Sequence, residues 1–264
     1  MSHDMLELTG RKALVMGVAN DSSVAWGIAQ SLSEAGAQLA LSFLPDSRGR
    51  SEGRVRRLAE PLGCELYLPC DVRQDGEVEG LFEALRERWG ALDMLVHSIA
   101  AARTADLAGE FTAVSREGFA FAHEVSCYSL IAVARGARAL MEGRPGSIVT
   151  VSYLGSQRAI TNYNVMGVAK AALESAVRYL ALELGAAGIR VNAVSPGPIE
   201  TLSSSVIAGF AEMMKKAAEQ TPLHRNVTAR EVGDAVAFLC SDLARGITGQ
   251  VLYVDAGFSI TAGV

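Results

Sequence analysis

Short apolar runs alternating with longer stretches of helical period constrain this 264-residue chain more than any other feature. Runs at 13–16, 39–41, 66–68, 94–96, 147–151, 190–194 and 251–254 have the length and continuous apolar character of strands buried on both faces. Between them, apolar residues recur at helical spacing, as with Val24, Ile28 and Leu32, or Val78, Leu81, Phe82 and Leu85. Gly36 stands where the first helix would stop. A basic helix is expected from about 52 to 62, a long and largely buried one over 119–141, another over 164–184, and a late one that includes 235–239. Strand and helix alternating through short loops imply an α/β fold, a doubly wound parallel sheet of about seven strands with helices on both faces. No repeat, low-complexity tract or linker divides residues 1–264, so one domain is expected. The segment near 200–220 breaks the rhythm. It follows a Pro-Gly-Pro turn, and from Ser203 onward it reads as a mobile cover over a site.

Composition narrows the function classes. The net charge is −5 and no basic block forms a nucleic-acid footprint; Arg54, Arg56 and Arg57 read as a solvated helix face. Cys64, Cys70, Cys127 and Cys240 show no CxxC spacing, and they read as small buried hydrophobes in a reducing compartment rather than as metal ligands or disulfides. The first ten residues carry Asp4 and Glu7 and lack a signal pattern, and no apolar run reaches membrane-spanning length. The expectation is a cytoplasmic protein without membrane or nucleic-acid partners.

In open parallel sheets, ligands sit outside the carboxyl ends of the strands. After the first strand, Gly17 permits a tight turn, Ser22 or Ser23 is placed to cap the next helix before Val24, and Gly27 is expected to let that helix pack closely on the strand. The free N–H groups at such a helix start suit a pyrophosphate, although the segment is not GxGxxG. A glycine turn feeding a capped helix is the competing reading of the segment alone. Three further strand ends agree with a Rossmann-type nucleotide site. Asp71 and Val72 follow the third strand, suited to an adenine edge. Ser98 and Ile99 follow the fourth, with small residues where a ribose or nicotinamide needs room. The stretch from Ser195 through Ile199 to Thr201 follows the sixth, with main-chain groups for a carboxamide.

Tyr163 and Lys170 are seven residues apart, two turns along one helix face, and Tyr153 ends the strand region before them. A phenol beside an ammonium is a plausible proton donor, because the cation favours phenolate. Two packing tyrosines and a solvated lysine form the bland alternative for each residue taken singly.

Over nearly its whole length the sequence resembles the short-chain dehydrogenase/reductase superfamily, and within it the enoyl-acyl-carrier-protein reductases of bacterial fatty acid synthesis. The resemblance is carried by segments that include Gly17-Val18-Ala19, Cys70-Asp71-Val72, His97-Ser98-Ile99, Ser152-Tyr153-Leu154-Gly155, the stretch from Tyr163 to Lys170, and Gly197-Pro198-Ile199. Most of the superfamily places Ser, then Tyr thirteen residues later, then Lys four beyond. Anchored on Lys170, that template puts Met166 at the tyrosine and Tyr153 at the serine, with the phenol one helical turn earlier at Tyr163. This spacing is similar to enoyl reductases and unlike carbonyl reductases.

The resemblance implies hydride transfer from a reduced nicotinamide to the trans-2 double bond of an enoyl thioester on acyl carrier protein. Tyr163 would donate to the developing enolate, Lys170 would hold the nicotinamide ribose, and Tyr153 would line the acyl pocket. It also implies cofactor contacts at Gly17, Ser23, Val24, Leu44, Asp71, Val72, Ser98, Ile99, Lys170, Ile199, Thr201, Leu202 and Ser203, substrate contacts at Ala102, Tyr153 and Tyr163, and a homotetramer. Leu44 stands where relatives often carry glutamine or a basic residue. NADH is the expected cofactor, with NADPH left open because Arg48 or Arg50 is placed to reach a 2′-phosphate. Lys215 and Lys216 are candidate carrier-protein contacts or an ordinary solvated face. The competing functions are a short-chain carbonyl (3-oxoacyl thioester) reductase, which calls for tyrosine at position 166, and a non-catalytic nucleotide sensor, which calls for loss of the tyrosine or the lysine.

Overall fold

In a computed structural model, which describes residues 6–201, 204 and 209–261, the seven expected strands form one sheet. They are β1 (Lys12–Met16), β2 (Gln38–Phe43), β3 (Leu66–Pro69), β4 (Met94–His97), β5 (Gly146–Val151), β6 (Ile189–Pro196) and β7 (Val251–Val254). Their order is β3-β2-β1-β4-β5-β6-β7 and every pairing is parallel. The connections reverse direction between β1 and β4, which opens the crevice where such sheets bind ligands.

Both sheet faces are buried because each strand sends alternate side chains to opposite sides. From β1, Leu14 and Met16 enter one core, and Ala13 and Val15 enter the other. The first core is closed by α3 (Asp75–Trp89), α5 (Ser129–Leu140) and α6 (Asn164–Leu184), through Leu85, Val133 and Leu173 among others. The second is closed by α1 (Val24–Glu34), α2 (Arg50–Ala59) and α8 (Ala229–Cys240), through Ile28, Val55 and Val236. Leu14, Leu85, Leu95 and Ile28 are fully buried, and each such side chain contributes about 1.5–3 kcal/mol relative to exposure.

Two sequence expectations change. Gly27 does not serve helix-to-strand packing. A Cβ there would lie 2.4 Å from the Ala229 carbonyl oxygen, and one at Gly233 would lie 2.4 Å from the Gly27 carbonyl oxygen. The paired glycines therefore let α1 and α8 cross backbone to backbone. The stretch expected as one long helix over 119–141 is α4 (Arg116–His123), a π-helical turn at Glu124–Tyr128, then α5. Side-chain bonds surround this turn: Ser129 Oγ donates to the Val125 carbonyl at 2.6 Å, while Ser126 Oγ donates to the Ala101 carbonyl and accepts from its N–H.

Of the cysteines, Cys64, Cys70 and Cys240 are buried and Cys127 is half-buried, all as free thiols. Among the described residues, no helix is long and apolar enough to cross a membrane.

Candidate active site

A cavity of about 630 Å³ opens along the carboxyl ends of the strands. On the side of β1, β2 and β3 it is lined by Gly17, Asn20, Ser23, Val24, Ser42, Leu44, Asp71 and Val72. Ser98 and Ile99 line its centre after β4. Tyr153, Tyr163, Met166 and Lys170 line it beyond β5, and Pro196 to Ile199 with Thr201 beyond β6. Ala102, Leu107, Phe121, Val125 and Phe210 give the remaining wall an apolar character.

The loop after β1 is shaped by Gly17. Its φ is +91°, and a Cβ there would lie 2.1 Å from the Ser98 carbonyl oxygen. The two loops that flank the switch point thus touch through main chain, which only glycine permits. Of the two candidate caps, Ser23 is the one that caps α1, accepting from the Trp26 N–H while its own hydroxyl donates to the Asn20 carbonyl. Ser22 instead bonds the Asn20 side chain. The start of α1 is left facing the cavity, the arrangement that suits a pyrophosphate. At the far end, Asp71 pairs with Arg73, which holds its carboxyl below the usual range, and its N–H donates to Glu77. Leu44 is 60% exposed at the rim. Arg48 and Arg50 are exposed and do not line the cavity. Arg54, expected to be a solvated helix residue, donates to the Ala19 carbonyl at 3.1 Å and so touches the loop itself.

At the opposite end, the Tyr153 and Tyr163 rings meet edge to face, with centroids 5.0 Å apart. Gly155 makes room for this pair, since a Cβ there would lie 2.5 Å from Tyr163 Cδ1. Tyr163 sits at the start of α6, and Lys170 follows two turns later, almost wholly buried. The Tyr153 hydroxyl is buried without a hydrogen-bond partner among the described residues, although it lies on the cavity wall. Its pKa is pushed up to about 12 by burial.

The expected electrostatics of the pair need correction. The Lys170 ammonium donates to the Val151 carbonyl at 2.6 Å. Tyr163 is not acidified by it; burial, reinforced by the Tyr153 phenol, raises its pKa above the ordinary tyrosine value. Tyr163 is therefore a neutral O–H, able to donate a hydrogen bond to a bound group without standing as phenolate. Burial brings Lys170 down to about 8, against the opposing pull of Glu174 and Cys127.

Met166 lines the cavity at the position where the carbonyl-reductase pattern needs its tyrosine, with a thioether that has no proton to give. The deciding comparison is with known sequences. A family profile described as enoyl-(acyl carrier protein) reductase matches residues 17–259. The chain belongs to that family. It is 55% identical to the enoyl-[acyl-carrier-protein] reductase [NADH] FabI of Nostoc sp. over 257 residues, covering 97% of this chain and 99% of that one. Its fold is similar to the crystal structure of the enoyl-[acyl-carrier-protein] reductase (NADH) of Aquifex aeolicus, with a TM-score of 0.94, 46% identity, and coverage of 97% and 99%. It is also similar to the enoyl reductase of Anaplasma phagocytophilum solved in complex with NAD, with a TM-score of 0.92, 43% identity, and 97% of each chain covered.

The cavity brings together every expected site residue among those described: Gly17, Ser23, Val24, Leu44, Asp71, Val72, Ser98, Ile99, Ala102, Tyr153, Tyr163, Lys170, Ile199 and Thr201. Leu202 and Ser203 lie outside the described residues. Sequence reading of this reductase passed over the buried polar groups behind the wall. His97 is enclosed between Thr150 and Ser129, with both ring nitrogens at 2.8 Å from a hydroxyl oxygen. Glu174 accepts from Ser152 and Ser156. An acidic residue one turn after Lys170, set between the buried apolar residues Leu173 and Val177, is the sequence signal for the second.

Proposed function

We propose that the chain reduces the trans-2 double bond of enoyl thioesters carried by acyl carrier protein, using NADH, in fatty acid elongation. The observation that carries this reading is the placement of Tyr163 and Lys170 on one cavity wall with Met166 between them in sequence.

The residues fit a dinucleotide. Gly17 removes the Cβ that would fill the crossing of the two loops, the capped start of α1 faces the cavity, and the unpartnered Tyr153 hydroxyl awaits a polar group. Bound NADH supplies a hydride for the β-carbon of the substrate. As negative charge builds on the thioester oxygen, the neutral Tyr163 hydroxyl donates to it and stabilises the transition state more than the ground state. The Lys170 ammonium has three donors. The Val151 carbonyl takes one, and the others serve the nicotinamide ribose hydroxyls. Tyr153 orients the thioester with its free hydroxyl, while Ala102, Leu107, Phe121 and Phe210 give the acyl chain a dry wall.

The described residues of the segment near 200–220 support its role as a cover of this one domain. Ser204 and Phe210 reach the cavity from it, and α7 (Phe210–Gln220) carries exposed Lys215 and Lys216 for an acidic carrier protein. A homotetramer is supported by apolar groups exposed on the long helices: Phe119, Tyr128 and Ile131 near α5, and Val168, Tyr179 and Leu182 on α6. The working compartment is the cytoplasm.

Purified protein given crotonyl thioester is expected to oxidise NADH, with slower turnover on NADPH and none on 3-oxoacyl thioester. Turnover of the oxo substrate alone would replace this reading with the carbonyl-reductase one. Gly155→Ala is expected to lower kcat by roughly 10²-fold, because its Cβ displaces the Tyr163 ring, while NADH affinity holds. Unchanged kcat in steady-state assays would mean that the ring position does not matter.

A further inference from the structure

Behind the cavity wall, Glu174 is a carboxylate only 5% exposed on α6, one turn beyond Lys170. Its Oε1 accepts from Ser152 Oγ and from Ser156 Oγ, each at 2.6 Å. Those two serines bracket the loop that carries Tyr153 and Gly155, and Gly155 is the residue against which the Tyr163 ring rests. One buried oxygen therefore ties the tyrosine loop to the helix that holds the lysine. Charge-assisted hydrogen bonds of this length are the strong kind, and leaving such a group unpaired in a core is costly.

We propose that Glu174 is a positioning residue for the reduction, locking the loop of Tyr153 and Gly155 onto α6 so that Tyr153, Tyr163 and Lys170 keep a common frame. The inference rests on the roles given above to Tyr163 and Lys170. A second consequence follows from charge. The Glu174 carboxylate favours the protonated state of Lys170 against a burial that disfavours it. The other groups that bear on this pair come from three elements. Cys127 faces Lys170 from the π-helical turn, and His97 from β4 is kept neutral by burial and by Lys170. Tyr253 from β7 is pushed up by its burial first and then by Glu174 and Asp255. Glu174 is the acidic residue among the groups that raise the Lys170 pKa. Its loss removes a stabilising partner of the ammonium, so the lysine would deprotonate at lower pH.

The test titrates NADH affinity against pH by nicotinamide fluorescence, together with kcat/KM on crotonyl thioester. In the wild type, affinity should be full below and decline above about pH 8, as the ammonium is lost. Glu174→Gln keeps a carbonyl acceptor for both serines and removes the charge. It is expected to move that decline down by about one pH unit and, with less of the lysine left as ammonium, to lower kcat/KM several-fold near pH 8. Ser156→Ala keeps the charge and loosens the loop, so kcat/KM should fall several-fold with the pH of the decline unmoved. An unshifted decline in Glu174→Gln, or unchanged kcat/KM in Ser156→Ala, overturns the proposal. If Glu174→Gln does not fold, Glu174→Asp takes its place: it keeps the charge, so the decline should stay while kcat/KM falls, and any other outcome counts against the role. The binding titration uses no thioester. A wild type that binds NADH but leaves crotonyl thioester intact would defeat the enoyl-reductase reading and not the role of Glu174.

Discussion

Replacing Tyr163 by Phe should lower kcat on enoyl thioester by about 10²-fold, the usual range for losing a positioned proton donor, with NADH affinity and Tm almost unchanged. The ring stays in the variant, so the edge-to-face contact with Tyr153 and the fit against Gly155 persist. Only the hydroxyl is lost, while the ring keeps its contacts. Its energetic role falls in the transition state, where charge develops on the thioester oxygen. The high pKa matters to the pH profile. Burial raises Tyr163 above ordinary tyrosine, so phenol ionisation should not limit the wild-type rate below about pH 10. Steady-state kinetics and a thermal melt check both parts. A collapse of Tm with proportionate loss of NADH binding would instead mark Tyr163 as a packing residue.

Lys170→Ala should weaken NADH binding by roughly 10- to 100-fold, as expected for losing charged hydrogen bonds in a dry site. Stability should respond in the opposite sense. The Lys170 pKa is depressed from 10.5 to about 8, so the folded state disfavours its ammonium. That cost is fully present below about pH 8 and is relieved as pH rises from 8 towards 10.5, where the unfolded lysine still binds a proton. Removing the lysine removes this cost at neutral pH, against the loss of its bond to the Val151 carbonyl and of its packing. Fluorescence titration of NADH reads the first effect. An affinity equal to that of the wild type would take the ribose role away from Lys170, whatever happened to turnover.

Much of this architecture was legible in the sequence because the signals are local. Residues 164–184 and 251–254 coincide with α6 and β7, where a helical period and a short apolar run start and stop sharply. β6 runs on to Pro196, beyond the apolar stretch, because its end is set by pairing with β7. The cavity residues were legible for a related reason. A parallel sheet delivers all its strand ends to one edge, so Gly17, Asp71, Ser98, Tyr153 and Ile199 had to gather once the strands were recognised.

What escaped the sequence depends on partners far along the chain or on dielectric surroundings. Gly27 reads locally as a strand contact, but its neighbour is Ala229, and nothing near residue 27 announces a crossing helix. A π-helical turn adds one residue within a pattern whose period is too coarse to reveal it. The sign of the Tyr163 shift follows from how deeply the phenol is packed, and the count of residues to Lys170 says nothing about that depth. Glu174 was not singled out because its partners, Ser152 and Ser156, lie in a loop well before it along the chain.

The most direct measurement of the central claim is a crystal structure of the enzyme with NAD and a trans-2-enoyl thioester. The Tyr163 hydroxyl should stand within hydrogen-bond distance of the thioester oxygen, with Lys170 on the ribose hydroxyls. A thioester bound elsewhere, with the Tyr163 ring turned into the protein interior and no room beside the dinucleotide, would contradict the mechanism.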